Sequence, residues 1–344
     1  MCVSNFAVEW SGKETIIFLK YTPVKSNDMK NDEPDLAALF GATPADTFLG
    51  LPKCNNLEQL DASSVFIGAP GATPYGSVGS YCKNAPSALR KSIASLSANV
   101  DRYNFDLGGA TFTDETKKAA DYGDLPLDEE DSSTNRTGIY NVVADVVSKS
   151  SVPIVVGGDD SVPIPMLQAM ESTAKNYTVL QVDAHIDWRD SHMGESLGLS
   201  STMRRASEMK HIEHIIQVGA RGIGSGHPQD YQDALDWGVQ FVTAYDLHKN
   251  GIQSAIDLIQ PDSNIIICFD VDALDPSIVP GVIGRTPGGL NYYQALDLIK
   301  GASDRGTISA VDFVEYMPEV DVDNLGALVV SRLIASTMGV IARK

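Results

Sequence analysis

The sequence predicts an α/β fold of three layers, a mostly parallel, doubly wound sheet of about eight strands held between two layers of helix. Three observations lead there. Short apolar runs recur along the chain, most of them nearly continuous rather than alternating, as strands buried on both faces of a parallel sheet are. Glycine or acidic residues bound each run, the composition of turns. Stretches of helical periodicity fill the gaps between runs.

In chain order the strand-like runs are residues 64–68, 152–156, 178–182, 214–218, 239–243, 264–269 and 306–313. Helical spacing covers 138–149, 163–174, 292–302 and 325–341. Residues 61–344 therefore read as one domain, and residues 1–60 as an N-terminal extension and lead-in whose polar stretch 21–35 is expected to be loop. The acidic stretch 121–136 (DYGDLPLDEEDSSTNR) is expected to be a loop leading into the next helix. There is no internal repeat and no linker.

The balance of charge narrows the partners. Of 344 residues, 26 are basic and 45 acidic, a formal net charge of −19 that argues against nucleic acid and anionic membranes. A small cationic substrate fits that balance; a solvated acidic surface accounts for most of the charges. Four cysteines (Cys2, Cys54, Cys82 and Cys268) without a CxxC pair make no disulfide framework, so a reduced cytoplasm is expected. No apolar run approaches the roughly 20 residues that cross a bilayer. The opening MCVSNFAVEWSGKE lacks the apolar core of a signal peptide.

In a doubly wound sheet the chemistry gathers at the carboxyl ends of the strands. Here those ends carry carboxylates. Asp183, His185 and Asp187 alternate after the run 178–182, and Asp270 and Asp272 repeat the pattern after 264–269. Gly157-Gly158-Asp159-Asp160-Ser161 follows 152–156, and Glu315 follows 306–313. A lone Asp after a strand is commonly a turn or N-cap residue, but this many at one sheet edge would repel one another unless a cation held them. Oxygen-rich ligation with one imidazole suits Mn(II), Ni(II), Co(II) or Fe(II) better than a structural zinc, and the number of ligands fits two metals.

These segments resemble, in order, the motifs of the ureohydrolase (arginase and agmatinase) family. GGDDS resembles its GGDHS, DAHID its DAHxD, DVDALDP its DxDxxDP, and GVIGRTPGGL (281–290) its glycine-rich stretch. VDFVEYMPEVD resembles the segment with its substrate-binding glutamate. Weaker echoes are Gly68-Ala69-Pro70, Pro86 to Arg90, Tyr122-Gly123-Asp124 and Val218 to Arg221. The resemblance runs from about residue 60 to the C-terminus. It implies an arginase-like fold, a trimer or hexamer, and two divalent metals, Mn or Ni, that activate water to split a guanidinium C–N bond with release of urea. Carried over by position, Asp183, His185, Asp187, Asp270 and Asp272 would be metal ligands, with Asp183 and Asp270 bridging. Asp187 would also take a hydrogen bond from the attacking water, and Glu315 would hold the cationic substrate by paired hydrogen bonds.

Two positions depart from the pattern. Asp160 stands where the family has a ligand histidine, and as a ligand it adds a negative charge that would make bound water less acidic. Leu199 replaces a substrate-contacting histidine, and a leucine transfers no proton. His192 lies nearby in sequence and is a candidate to compensate, although a surface loop position is the simpler expectation. Among ureohydrolase-like proteins, metformin hydrolase is a nickel-dependent hetero-oligomer of two such chains. The two losses resemble the partner-type chain of that arrangement, acting with an active paralogue on a guanidino or biguanide cation. An autonomous agmatinase- or guanidinobutyrase-like enzyme with an altered centre, and a non-catalytic scaffold, are the alternatives.

Overall fold

The computed structural model describes residues 45–113, 118–224 and 226–344. Eight strands form one sheet: β1 (Ser64–Gly68), β2 (Ala120–Asp124), β3 (Val152–Val156), β4 (Tyr177–Val182), β5 (Ile212–Val218), β6 (Gln240–Val242), β7 (Asn264–Asp270) and β8 (Thr307–Val314). Their spatial order is β2-β1-β3-β8-β7-β4-β5-β6, and every pairing is parallel.

Both faces of the sheet are dry because alternate residues of each strand are apolar on either side. On one face Phe66, Ile154, Leu180, Ile267, Phe269 and Phe313 join a core built with α1 (Ala85–Ile93), α6 (Ala244–Asn250), α7 (Gln253–Ile256), α8 (Tyr292–Arg305) and α9 (Leu325–Ala342). On the other, Val65, Ile67, Val155, Val179, Ile266 and Val314 pack with α2 (Ser132–Ser148), α3 (Pro163–Ala169), α4 (Thr202–Ser207) and α5 (Pro228–Trp237). This is the three-layer arrangement expected from the sequence. Helix α9 is apolar and 18 residues long, enough by length to cross a membrane, yet it lies mostly buried in the core against α1 and α8.

Several boundaries differ from the sequence expectation. The stretch 121–136 is not all loop: it supplies most of β2 and the first turns of α2. Strand β2 escapes an apolar search because Asp121 and Asp124 serve an ion pair with α1. Arg90 donates from Nε and Nη2 to Asp121 at 2.8 and 2.9 Å and from Nη1 to Asp124 at 2.5 Å, with its guanidinium 4.5 Å above the Phe66 ring. Helix α2 starts six residues before its apolar spacing because Asp131 caps it, accepting from the Ser133 amide at 2.9 Å. The expected helix 163–174 is α-helical to Ala169 and continues as a 3₁₀ turn to Thr173.

Asp121 also accepts from the amides of Phe48 at 2.7 Å and Gly123 at 2.8 Å, and Phe48 stacks on Phe66 at 4.8 Å. The later part of the expected lead-in is thus part of the core, whereas the expected loop 21–35 lies outside the described residues.

Register sets the site. Val182 pairs with Phe269, Phe269 with Phe313, and Phe313 with Val156, so the central strands β4, β7, β8 and β3 end level with one another. The residues that follow those ends project from one edge.

The weaker sequence echoes around Arg90 and Asp124 are therefore structural. Arg90→Leu, which strands the buried Asp121 carboxylate, is expected to destabilise the fold by about 3–5 kcal/mol in urea unfolding. Arg90→Leu combined with Asp121→Leu should recover much of that loss; equal stability of wild type and Arg90→Leu would remove the ion pair from this role.

Candidate metal centre

The turn after β3 brings Asp160 to the edge through two adjacent glycines. Gly157 and Gly158 have φ of +100° and +72°. A Cβ on Gly158 would lie 2.5 Å from Val162 Cγ2 and 2.9 Å from the Ala69 carbonyl oxygen, so the turn admits no side chain there. Two candidate site residues, Asp187 (φ +43°) and Glu315 (φ +67°), hold left-handed backbone despite having side chains. Such conformations persist where surrounding contacts impose them. For Glu315 one such contact is its amide, which donates to the Gly158 carbonyl at 2.9 Å.

Asp160, Asp183, Asp187, Asp270, Asp272 and Glu315 are all more than nine-tenths buried. Backbone amides aim several of them: His185 N donates to Asp183 Oδ1 at 2.6 Å, and Asp272 N to Asp270 Oδ1 at 2.7 Å. Two triads close to within 4.8 Å of ligand atoms, Asp183–His185–Asp272 and Asp160–Asp183–Asp270. Asp183 is common to both, as a ligand shared between two ions would be. Asp187 is in neither triad, but Gln181 Nε2 ties it to Asp183, donating to Asp183 Oδ2 at 2.8 Å and Asp187 Oδ2 at 2.7 Å.

The electrostatics are those of an anion cluster without enough compensating cations. Burial pushes the carboxyls of Asp160, Asp183, Asp187 and Asp270 up, and the neighbours push further: Asp187 and Asp183 on Asp160, Asp272 on Asp183 and Asp270, and Asp183 on Asp187. Burial alone would hold His185 neutral, but Asp183 and Asp272 overcome it and push its pKa up to about 12; its Nδ1 lies 3.1 Å from Asp272 Oδ2. Glu315 is pushed up to about 8, by burial first and then by Asp159. Asp160 Oδ2 is buried without a hydrogen-bond partner among the described residues. Hard donors held this close, one imidazole and one orphaned oxygen fit a pair of divalent cations.

A cavity of about 270 Å³ opens onto these groups, lined among others by Tyr75, Tyr81, Arg189, His192, Leu199 and Ile283. Leu199 and His192, the two substrate-binding candidates of the wall, both line it, although a surface loop position was the simpler expectation for His192. His192 is held on the wall, its ring 4.8 Å from that of Tyr75 and its Nδ1 3.2 Å from Arg189 Nη1. In the glycine-rich stretch, a Cβ on Gly284 would reach within 3.2 Å of His185 Cε1 and 3.3 Å of Asp272 Oδ2, so that glycine keeps the centre open.

The family model for the arginase family matches residues 62–339. The chain belongs to the arginase family. Among curated relatives of this arginase-family chain, the mitochondrial agmatinase of Gallus gallus is 29% identical over 307 residues, covering 87% of this chain and 86% of its own. A guanidinobutyrase of Pseudomonas aeruginosa is 25% identical, with 86% and 93% covered. Among solved structures, proclavaminate amidino hydrolase from Streptomyces clavuligerus superposes with a TM-score of 0.74 at 25% identity, over 86% of this chain and 97% of that one. Formimidoylglutamase from Bacillus subtilis gives 0.75 at 21% identity, over 94% and 96%, a likeness of fold. Membership makes the chain a ureohydrolase-type hydrolase of amidino or guanidino C–N bonds, from a family that uses a binuclear divalent metal centre and small guanidino substrates.

Several pocket and support residues were not singled out from sequence. Gln181 and Gln217 had a readable signal, since each interrupts an apolar strand run; they are paired in register, and Gln217 Nε2 donates to Gln181 Oε1 and to the Ile186 carbonyl at 2.8 Å. Arg221 donates to the carbonyls of Asp272 and Thr286, both at 2.7 Å, and so fixes the turn after β7. Tyr75, Tyr81 and Arg189 carried no residue-level signal beyond lying in loops.

Divalent binding to the folded chain alone raises its stability by mass action. Adding Mn(II) or Ni(II) to chelator-stripped protein at a hundredfold excess over Kd is expected to raise the melting temperature by about 5 °C in calorimetry. No shift with either ion would rule out a metal centre in this chain.

Proposed function

We propose that this chain is the partner-type subunit of a ureohydrolase assembly, metformin hydrolase-like, that cleaves a guanidino or biguanide cation, and that its own metal centre is weakened. The observation that carries the reading is Asp160: a carboxylate with an unpartnered buried oxygen takes the position of a neutral imidazole ligand and adds a negative charge to the cluster. Asp160, Asp183, His185, Asp187, Asp270 and Asp272 would hold two ions, Mn(II) or Ni(II). Bound there, such a pair makes water a nucleophile near neutral pH.

The chain's own residues supply the rest. Glu315 supplies the carboxylate charge that holds the cation, Asp187 accepts a hydrogen bond from the attacking water, and Leu199 and His192 line the substrate's path. Asp160 opposes this chemistry, because added negative charge keeps the water's proton on. Leu199 opposes it by leaving the leaving group without a proton donor at that wall. Residues 61–344 form the hydrolase domain in this reading, joined in its core by Phe48, Leu49 and Leu51 from the lead-in 1–60. The proposed setting is the cytoplasm, which suits the buried free cysteines Cys54, Cys82 and Cys268. Assembly is as a trimer or hexamer, with the active paralogue in the same particle.

Metal content per purified chain and urea release decide it. The expected result is sub-stoichiometric metal and little turnover alone, with urea release appearing when a paralogous ureohydrolase chain is co-expressed. Two metals per chain and full turnover alone would make it an autonomous amidinohydrolase; a monomer with neither metal nor effect on a paralogue would make it a scaffold. Asp160→His should raise metal occupancy, and Asp160→His with Leu199→His should raise turnover on the order of a hundredfold. If neither rises, those two residues do not limit the site.

A further inference from the structure

Glu315 is already occupied. The Tyr81 hydroxyl donates to Oε1 at 2.7 Å and Oε2 at 2.8 Å, nearly equidistant from the two oxygens. That position lies on the two-oxygen face of the carboxylate, where the fork of a guanidinium sets its paired N–H groups. The two cannot share the space. Oε1 also accepts from the Asp160 amide at 2.9 Å, and the Glu315 amide is bound to the Gly158 carbonyl at 2.9 Å, so the carboxylate is held from both ends and is not placed to turn another face.

We propose that Tyr81 is the residue that selects cations in this pocket, by taking the bidentate face of Glu315 and offering ligands a single phenol oxygen in its place. Tyr81 lines the same cavity as Asp160, Leu199 and Ile283. With its proton committed to Glu315, the hydroxyl presents only acceptor lone pairs to the cavity. One N–H of a cation can use that acceptor, with the Glu315 charge directly behind it. An ammonium or a single N–H of a substituted guanidinium loses nothing by this arrangement, whereas an unsubstituted planar guanidinium edge loses its second hydrogen bond. Leu199 and Ile283, on the same cavity, are apolar and add no acceptor. Tyr81 thus acts through Glu315, as a positioning and specificity residue. The inference rests on the reading of Glu315 as the cation-holding carboxylate.

The test is calorimetric binding to the full-length, manganese-supplemented chain, with two dications of similar length: agmatine, which carries a guanidinium at one end and an ammonium at the other, and 1,5-diaminopentane, which carries an ammonium at both ends. Wild type is expected to bind the two within about threefold of each other, and Tyr81→Phe to bind agmatine about tenfold tighter while changing diaminopentane less than about twofold. Glu315→Gln placed on Tyr81→Phe should abolish the gain. A merely structural tyrosine would move both probes together. Tyr81→Leu also removes the hydroxyl and gives the same split if Tyr81→Phe folds poorly. Agmatine binding no tighter in either variant, an equal gain for both probes, or a gain that survives Glu315→Gln would overturn the proposal. The partner-subunit reading fails on other measurements, metal content and paired urea release, so the two failures are separable.

Discussion

The mutual repulsion of buried carboxylates at the carboxyl ends of four adjacent central strands governs the rest of this structure. Five aspartates and a glutamate are more than nine-tenths buried in one place, with one imidazole among them. A fold tolerates that only where something offsets the charge. The central sheet order brings β3, β8, β7 and β4 side by side although β4 precedes β7 and β8 in sequence, so groups more than 150 residues apart in the chain converge on one edge. The local backbone is shaped to the same end: two glycines turn Asp160 inward, and Asp187 and Glu315 hold left-handed conformations.

Around this cluster the neutral supports are amides and carbonyls. Gln181 binds two of the aspartates, and Arg221 spends its guanidinium on carbonyl oxygens of the turn below Asp272 instead of pairing with a carboxylate. That leaves His185 as the one basic side chain of the two ligand triads. The substitution of Asp160 for a neutral ligand therefore falls where the least compensation exists. A similar exchange on the surface, where solvent screens charge, would be nearly silent.

Much of this was legible in the sequence, for a physical reason. Strands buried on both faces must be apolar throughout, so seven of the eight strands stand out, and carboxylates at their ends stand out against them. The eighth, β2, did not, because its acidic residues are matched by Arg90 from another segment and a pairing across 31 residues leaves no local pattern. Asp183, His185, Asp187, Asp270 and Asp272 stood out because alternation after a strand is local, whereas Asp160 and Glu315 stood out as strand-end carboxylates whose roles came from the resemblance of their segments to the family's motifs. The pocket wall was legible only as two loops expected to choose the substrate, residues 71–82 and 188–199, and not as the contacts its residues make. Tyr75 reaches Ser200 at 2.6 Å across 125 residues, and Tyr81 reaches Glu315 across 234, contacts that only the sheet order creates. Gln181 and Gln217 lie between these cases, visible as polar intrusions but unreadable as a pair until β4 and β5 are known to be neighbours.

That glutamine pair has a consequence for how the sheet assembles. A strand that is apolar on both faces is nearly indifferent to sliding by two residues against its neighbour, since the same faces are presented after the slip. Between β4 and β5 the side-chain amide of Gln217 meets Gln181 at one alignment only, and any slip leaves the Gln181 oxygen and the Ile186 carbonyl without their donor and unfixes the glutamine that holds Asp183 and Asp187. The pair works as a registration mark. It couples correct strand alignment during folding to the presence of an ordered centre, so that a chain misaligned by one repeat of the pleat keeps its core yet loses the geometry of its site.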